Sequence, residues 1–186
     1  MRSHGRSGRR TGWLGLAGAL AIIALTVGAA MASGATSASA WLVGPDGTTV
    51  GRATFTEDAA GRLHVNVHVD GMTPGRHGIH LHAIGSCIGP AFTSAGGHHN
   101  PLDAAHGLDS PNGAHAGDLP NMDVNVVGRG RLQATSDRAT LTPGPTSLVD
   151  ADGSAVIIHA GVDDQVTNPT GNSGARVACG VIEVDG

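Results

Sequence analysis

The sequence predicts an all-β domain, a Greek-key barrel or sandwich of about eight antiparallel strands with two long loops that carry the chemistry. Three observations point there. The 186-residue chain holds 30 glycines and is only 14% charged, a composition that favours short strands and tight turns over long helices. Leu63, Val65, Val67 and Val69 alternate with His64, Asn66, His68 and Asp70, the period of a strand with one apolar and one wet face. No helical period and no internal repeat is visible beyond the first 40 residues.

The N-terminus reads as an export signal. Arg2, Arg6, Arg9 and Arg10 precede an apolar stretch over 14–27, and small residues follow, which are the three parts of such a signal. Two A-x-A sites compete, Ala30-Met31-Ala32 and Ala38-Ser39-Ala40. Cleavage after Ala32 is preferred, making 1–32 the signal peptide and 33–186 the domain. The later site would cut just before Trp41-Leu42-Val43, which reads as the first strand. An uncleaved anchor is the alternative, since the apolar stretch is nearly long enough to span a bilayer. Arg9-Arg10 matches a twin-arginine signal only loosely. No cysteine precedes Cys87, which argues against a cysteine-linked lipid anchor. The domain is therefore expected outside the cytoplasm, as a secreted, periplasmic or envelope-associated protein.

Within the domain, Gly44-Pro45-Asp46-Gly47 is a turn leading into a strand over 50–55, and 63–69 is the alternating strand already described. His64 and His68 fall on its wet face and read as solvent-exposed. Residues 86–120 are rich in Gly, Pro, His, Asp and Asn without periodicity; so long a stretch needs a metal or a disulfide to order it. Strands resume over 122–127, 130–135 and 155–159, and a second irregular loop over 161–175 leads to a last strand over 177–184. The chain has no lysine and no tyrosine, so the core must come from Val, Ile, Leu and Ala. Residues 33–186 carry seven arginines against 15 carboxylates, a charge of −8 with histidine neutral. With no basic run, nucleic acid is not an expected partner. Cys87 and Cys179 are the two cysteines, and in an exported chain an even pair reads first as a disulfide. Closing a loop of roughly 90 residues, it stabilises by about 4–5 kcal/mol in the chain-entropy account.

Seven of the 11 histidines lie between His77 and His115, and His159 ends a strand. In Gly78-Ile79-His80-Leu81-His82, a strand sends both imidazoles from one face, where they can share an ion. The loop adds His98, His106, His115 and Asp118. Imidazoles suit copper and zinc, and a histidine–aspartate set suits zinc.

These residues resemble a known family, the copper,zinc superoxide dismutases. Gly75-Arg76-His77-Gly78-Ile79-His80-Leu81-His82 with Gly85-Ser86-Cys87 is similar to its first signature. Phe92-Thr93-Ser94-Ala95-Gly96-Gly97-His98-His99-Asn100-Pro101 is similar to its second. His106-Gly107 and His115-Ala116-Gly117-Asp118-Leu119-Pro120-Asn121 resemble the zinc loop. His159, Asp163-Asp164 and the run from Gly171-Asn172 through Arg176-Val177-Ala178-Cys179-Gly180 resemble the C-terminal signature. The placing of Cys87 ahead of Thr93-Ser94-Ala95 resembles the exported bacterial members.

The resemblance implies an enzyme that converts superoxide to dioxygen and hydrogen peroxide, an antioxidant oxidoreductase with copper and zinc as cofactors. It implies copper on His80, His82, His98 and His159, and zinc on His98, His106, His115 and Asp118, with His98 bridging. Asp163 is implied to link the rings of His80 and His106, His77 to lie beneath the copper as a structural residue, and Thr170 to narrow the channel mouth. Arg176 and His98 are the implied catalytic residues, Arg176 guiding the anion and His98 handling a proton. His99 stands where the family has Phe or Tyr and is expected as a surface ring. The loop between His159 and Arg176 is shorter than in the animal enzymes and lacks lysine. Two competing readings are a metal-binding module that keeps the fold without the activity, and a copper-only dismutase. Oligomeric state is not legible.

Overall fold

A computed structural model describes residues 36–186; the signal-peptide reading and the Ala32 site lie outside them. Ten strands form one antiparallel sheet. They are β1 (Ser37–Val43), β2 (Thr49–Glu57), β3 (Leu63–Val69), β4 (Gly75–His77), β5 (Ile79–His82), β6 (Met122–Val124), β7 (Gly130–Ser136), β8 (Ala155–His159), β9 (Arg176–Val181) and β10 (Glu183–Val184). The order is β4-β6-β7-β3-β2-β1-β9-β8-β5, with β10 added to β1. β4 and β5, the two ends of that order, are separated in sequence by Gly78 alone, so the sheet curls into a nearly closed barrel. β3 pairs with β7, and β1 with β9, the non-sequential neighbours of Greek-key crossovers. The expected all-β class holds, and the extra strands are the short β4 and β10.

The inward face follows from alternation. Ala38, Ala40 and Leu42 of β1, Ala53 and Phe55 of β2 and Leu63, Val65, Val67 and Val69 of β3 are buried in one core, with Ile79, Leu81, Val156 and Ile158. β8 is buried at all five positions. Its other face, Ala155 and Ile157, meets Phe92, Ala95 and Cys179 in a second apolar cluster outside the barrel wall.

The two largest boundary differences from the sequence reading are in β1 and β6. β1 begins four residues ahead of Trp41, with Ser37, Ala38, Ser39 and Ala40 paired to Thr56, Phe55, Thr54 and Ala53. Small residues carry little strand signal; the pairing partner decides here. The strand expected over 122–127 stops at Val124, because Asn125 closes a turn, its carbonyl accepting the Gly128 N–H at 2.9 Å. A third long connection, 137–154, is fastened by the Glu57 carboxylate, which accepts the N–H groups of Leu141 (2.6 Å) and Thr142 (2.8 Å).

Candidate metal centre

The site begins on β5. Ile79 and Leu81 belong to the core, so His80 and His82 leave the outer face of the barrel together. Both are nonetheless fully buried, because the loop after β5 folds back along that strand's free edge. Ala83 N–H donates to Gly97 O (3.0 Å), His99 N–H to Leu81 O (2.8 Å) and Leu81 N–H to Gly117 O (2.8 Å). Gly117 is required there, since a Cβ would collide with the Leu81 carbonyl oxygen. This pairing sets His98 opposite His82 and Asp118 opposite His80. His159 arrives from the end of β8, and a register shift after Ile158 sets Arg176 opposite it.

Four imidazole nitrogens converge with no hydrogen-bond partner: His80 Nδ1, His82 Nε2, His98 Nε2 and His159 Nε2. Buried polar atoms rarely stay unpaired without a reason, and these residues offer ligand atoms within 4.8 Å of one another. The opposite nitrogen of each of three rings is committed to an oxygen: His80 Nε2 to Asp163 Oδ2 (2.6 Å), His82 Nδ1 to Gly96 O (3.0 Å) and His159 Nδ1 to Gly174 O (3.0 Å). A neutral ring has one N–H; given to those oxygens, it leaves a lone pair on each orphan atom. Burial pushes the pKa of His82 down to about 2, His80 to about 3 and His159 to about 4, so all three rings are neutral at pH 7, the form that binds metal.

A second group lies on the other side of His98. Asp118 Oδ1 sits 2.9 Å from His98 Nδ1, 3.1 Å from His106 Nδ1 and 3.3 Å from His115 Nδ1, and His115 Nδ1 is 3.2 Å from His98 Nδ1. Four ligands around a tetrahedral zinc at about 2.0 Å stand about 3.3 Å apart, so these spacings fit zinc. Ligand atoms of His80 also fall within 4.8 Å of His98, His106 and Asp118. His80 belongs to the first group all the same: its ring stacks on His98 at 3.9 Å, its Nε2 is held by Asp163, and its orphan atom is Nδ1. Asp118 Oδ2 is occupied by the N–H groups of Gly107 (2.8 Å) and His115 (3.0 Å), which leaves Oδ1 for an ion. Burial opposes ionisation of Asp118, but its bonds from His106, His98 and Gly107 outweigh that and hold its pKa below the usual range. For His106 burial also disfavours the charge, yet Asp118 and Asp163 together raise its pKa to about 9.

Asp163 ties the groups together, Oδ2 to His80 and Oδ1 to His106 Nε2 at 2.9 Å. Its own holders were not singled out from the sequence. Asn121 pairs with the Asp163 backbone in both directions (2.9 and 2.8 Å), and Gln165 N–H donates to Oδ1 (2.7 Å). Gly171, at φ +60, leaves room for that carboxylate, which a Cβ would overlap. Asn121 and Gly171 lie inside the motifs quoted above, but a partner 42 residues away carries no local signal.

The chain is similar to several known proteins. The family model described as copper/zinc superoxide dismutase matches residues 49–182. A superoxide dismutase-like protein of Bacillus subtilis, YojM, is 41% identical over 143 residues, 76% of this chain and 73% of that protein. A copper–zinc superoxide dismutase of Caulobacter vibrioides is 42% identical over 150 residues, 79% and 86% of the two chains. The chain belongs to the copper/zinc superoxide dismutase family. Among solved structures, a SOD-like protein from Bacillus subtilis superposes with a TM-score of 0.74 at 40% identity, over 77% of this chain and 96% of that one. The clock protein EA4 gives 0.71 at 34% identity, over 83% and 98%.

In this superoxide dismutase-family fold, Cys87 and Cys179 are joined in a disulfide, with Cα atoms 5.7 Å apart. The bridge fastens the loop carrying Phe92 to β9, and Phe92 O and Gly96 O each accept an Arg176 guanidinium N–H at 2.6 Å. Arg176 also borders a shallow cleft with Pro90, Ala91, Thr93, Gly174 and Ala175. His77 is buried behind His159, its Nδ1 2.7 Å from the His159 carbonyl, and joins neither group. Thr170 is half-buried, its carbonyl accepting Ser173 N–H (3.2 Å). His68 is exposed as expected, while His64 is half-covered by Asp58 and Thr135. His99 corrects the sequence reading: it is 4% exposed, not a surface ring. The strand-like pairing of 97–99 along β5 sends successive side chains to opposite sides, so His98 enters the centre and His99 does not. Burial lowers the His99 pKa.

Proposed function

We propose that this chain dismutes superoxide at a paired centre, with copper on His80, His82, His98 and His159 and zinc on His98, His106, His115 and Asp118. The observation that carries the reading is the His98 ring. Its Nε2 is one of four converging orphan nitrogens, while its Nδ1 lies among Asp118 Oδ1 and His115 Nδ1, so one ring can serve two ions. An all-imidazole set suits copper, and three imidazoles with a carboxylate suit zinc.

When bound, copper supplies a one-electron cycle between Cu(II) and Cu(I), by which one superoxide leaves as dioxygen and a second, taking two protons, leaves as hydrogen peroxide, zinc keeping its oxidation state. The chain's residues do the rest. Arg176, clamped by two carbonyls opposite His159, attracts the anion and orients it. Asp163 fixes His80 and His106 with Nε2 protonated and Nδ1 free for metal. His98 Nε2 is the atom at which a proton is held for the departing product, because Nδ1 is engaged on the zinc side. Thr170 narrows the approach, and His77 backs the His159 carbonyl.

The domain works outside the cytoplasm, after processing at Ala32. The Cys87–Cys179 disulfide supports that compartment, and a start at Trp41 would remove four of the seven residues of β1. A fold-only module is the competing reading, since the structural matches include a SOD-like protein and a clock protein. The complete ligand set favours the enzyme. Measuring copper, zinc and superoxide decay in metal-loaded protein decides: one of each ion with turnover is expected. Both ions without turnover would favour the module, and turnover without zinc a copper-only enzyme.

A further inference from the structure

The arginines that look scattered in the sequence meet on the outer wall formed by β1, β2, β3 and β7. Trp41 pairs with Arg52, Arg52 with His68 and His68 with Arg131, a row running straight across four strands. The rows beneath it are Ser39, Thr54, Asn66 and Gln133, then Ser37, Thr56, His64 and Thr135. These 12 positions include no carboxylate, on a domain in which acids outnumber arginines two to one. Acids stand at the margins: Asp123, opposite Arg131 on β6, pairs with Arg76 (3.4 Å), Asp70 with Arg129 (3.3 Å) and Asp58 with Arg62 (2.8 Å), while Glu183 stands opposite Ser39 on β10 and Asp185 accepts the Ser39 hydroxyl (2.9 Å). Among the described residues Arg52 and Arg131 form no ion pair.

Apolar groups sit beside these cations. Trp41, the only tryptophan of residues 33–186, is 64% exposed, with the Arg52 guanidinium 5.2 Å from its ring centre. The β6–β7 turn presents Val126 and Val127 at 90% and 66% exposure. Asn125 and Arg129, on either side of these valines, line one shallow cleft with Trp41, Arg52, His68 and Arg131, where Asp70 is the single acid against three arginines. An exposed indole and a valine tip beside arginines is the combination suited to the headgroup layer of a bilayer.

We propose that this wall is a docking surface for an anionic phospholipid membrane, the valine tip and Trp41 entering the headgroup layer and the arginines meeting lipid phosphates. The domain's net negative charge does not prevent this, because salt confines the field to about 8–10 Å and the wall itself is cationic. A second copy of the chain is a poor occupant: apposed faces would bring Arg52 and Arg131 of both copies together without carboxylates between them. An exported protein also meets a membrane surface at once. The metal centre is carried by β5 and β8, which are not among the four strands of the wall.

The test uses metal-loaded protein of residues 33–186, which contains every strand, both cores and the disulfide and clusters as one compact unit. Because it has no tyrosine and one tryptophan, its emission reports on Trp41 alone. Vesicles containing phosphatidylglycerol should blue-shift that emission and sediment with the protein, and pure phosphatidylcholine vesicles should do neither. Arg52→Glu with Arg131→Glu, and separately Val126→Asp with Val127→Asp, should each weaken binding at least about tenfold while metal content, melting temperature and dismutase turnover stay unchanged. Equal binding to both vesicle types, no binding to either, or full binding by the charge-reversed variant overturns the proposal. So does an acidic polysaccharide that binds the wall as tightly as the vesicles without moving the Trp41 emission, which would make the partner a soluble polyanion.

Discussion

The proposed copper half and the proposed zinc half of the centre stand on different supports. His80, His82 and His159 are strand residues, fixed by the β5–β8 pairing that sets Ile79, His80, Leu81 and His82 against Ile158, Ile157, Val156 and Ala155. His106 and His115 are loop residues in the connection between β5 and β6, whose regular structure is one short 3-10 turn over Thr93–Ala95. The sheet therefore orients most of the copper set without help from a metal. The zinc set is gathered by Asp118, which reaches His98, His106 and His115 with one oxygen and two backbone N–H groups with the other. The protons differ in part: His80, His82 and His159 have lowered pKa values, while on the other side His106 is raised by its carboxylates and His115 is lowered by burial. Strand-borne ligands are preorganised, whereas loop-borne ligands depend on the carboxylate and the disulfide that hold their loop.

The sharpest way to break this comparison is to remove one ligand from each half. His159→Ala should lose copper and cut turnover at least about a hundredfold. Asp118→Ala should lose zinc and keep measurable copper-dependent turnover. Metal analysis beside a superoxide assay checks both; an Asp118 variant as inactive as the His159 variant, with its copper retained, would erase the distinction.

The disulfide tests the loop's dependence on its fastening. Replacing Cys87 and Cys179 by serine should lower stability by about 4–5 kcal/mol in the chain-entropy account, read from denaturant midpoints. Copper affinity should fall with it, because His98 rides on the loop. Thiol titration of unreduced, denatured protein recovered from outside the cytoplasm should find almost no free sulfhydryl; two free thiols would remove the fastening from the account.

Arg176 is positioned by the loop, through Phe92 and Gly96, yet stands opposite the strand-borne His159. Arg176→Glu should slow turnover about tenfold or more with both metals retained, and Arg176→Lys should cost less. Added salt should slow the wild type as it screens local attraction. An unchanged rate in the Glu variant would mean the anion reaches the metal without this arginine.

The smallest expected effect is a count of protons. In the metal-free fold at pH 7, His106 is protonated because its pKa lies near 9, so zinc must displace that proton; above about pH 9 this release should vanish. The neutral copper-side rings have none to give, apart from the N–H that His98 surrenders if it bridges. Adding copper to zinc-loaded protein in weak buffer should therefore release one proton from a bridging His98 and none otherwise. The sign for stability follows. A raised His106 pKa contributes stability present below its ordinary value of 6.5 and lost as pH rises through about 9.

The strand pattern of 63–69 and the His80–His82 spacing were legible because alternation is a local property. The early start of β1 was not, since Ser37, Ala38, Ser39 and Ala40 have little strand character apart from their pairing to β2 and β10. His99 was misread for a related reason. Nothing in Gly97-His98-His99 says that the segment runs along the edge of β5, and that pairing buries both rings on different sides.

By itself the sequence determined the all-β class, the ligand types and their order, because strand period and the donor chemistry of histidine and aspartate are fixed within a few residues. Only the tertiary structure decided which nitrogen of each ring is left without a partner, how Asn121, Gln165 and Gly171 seat Asp163, and that Trp41, Arg52, His68 and Arg131 share one wall. Those outcomes depend on groups far apart in the chain, which a hydrogen bond, a ring contact or a strand register joins only after the barrel has closed.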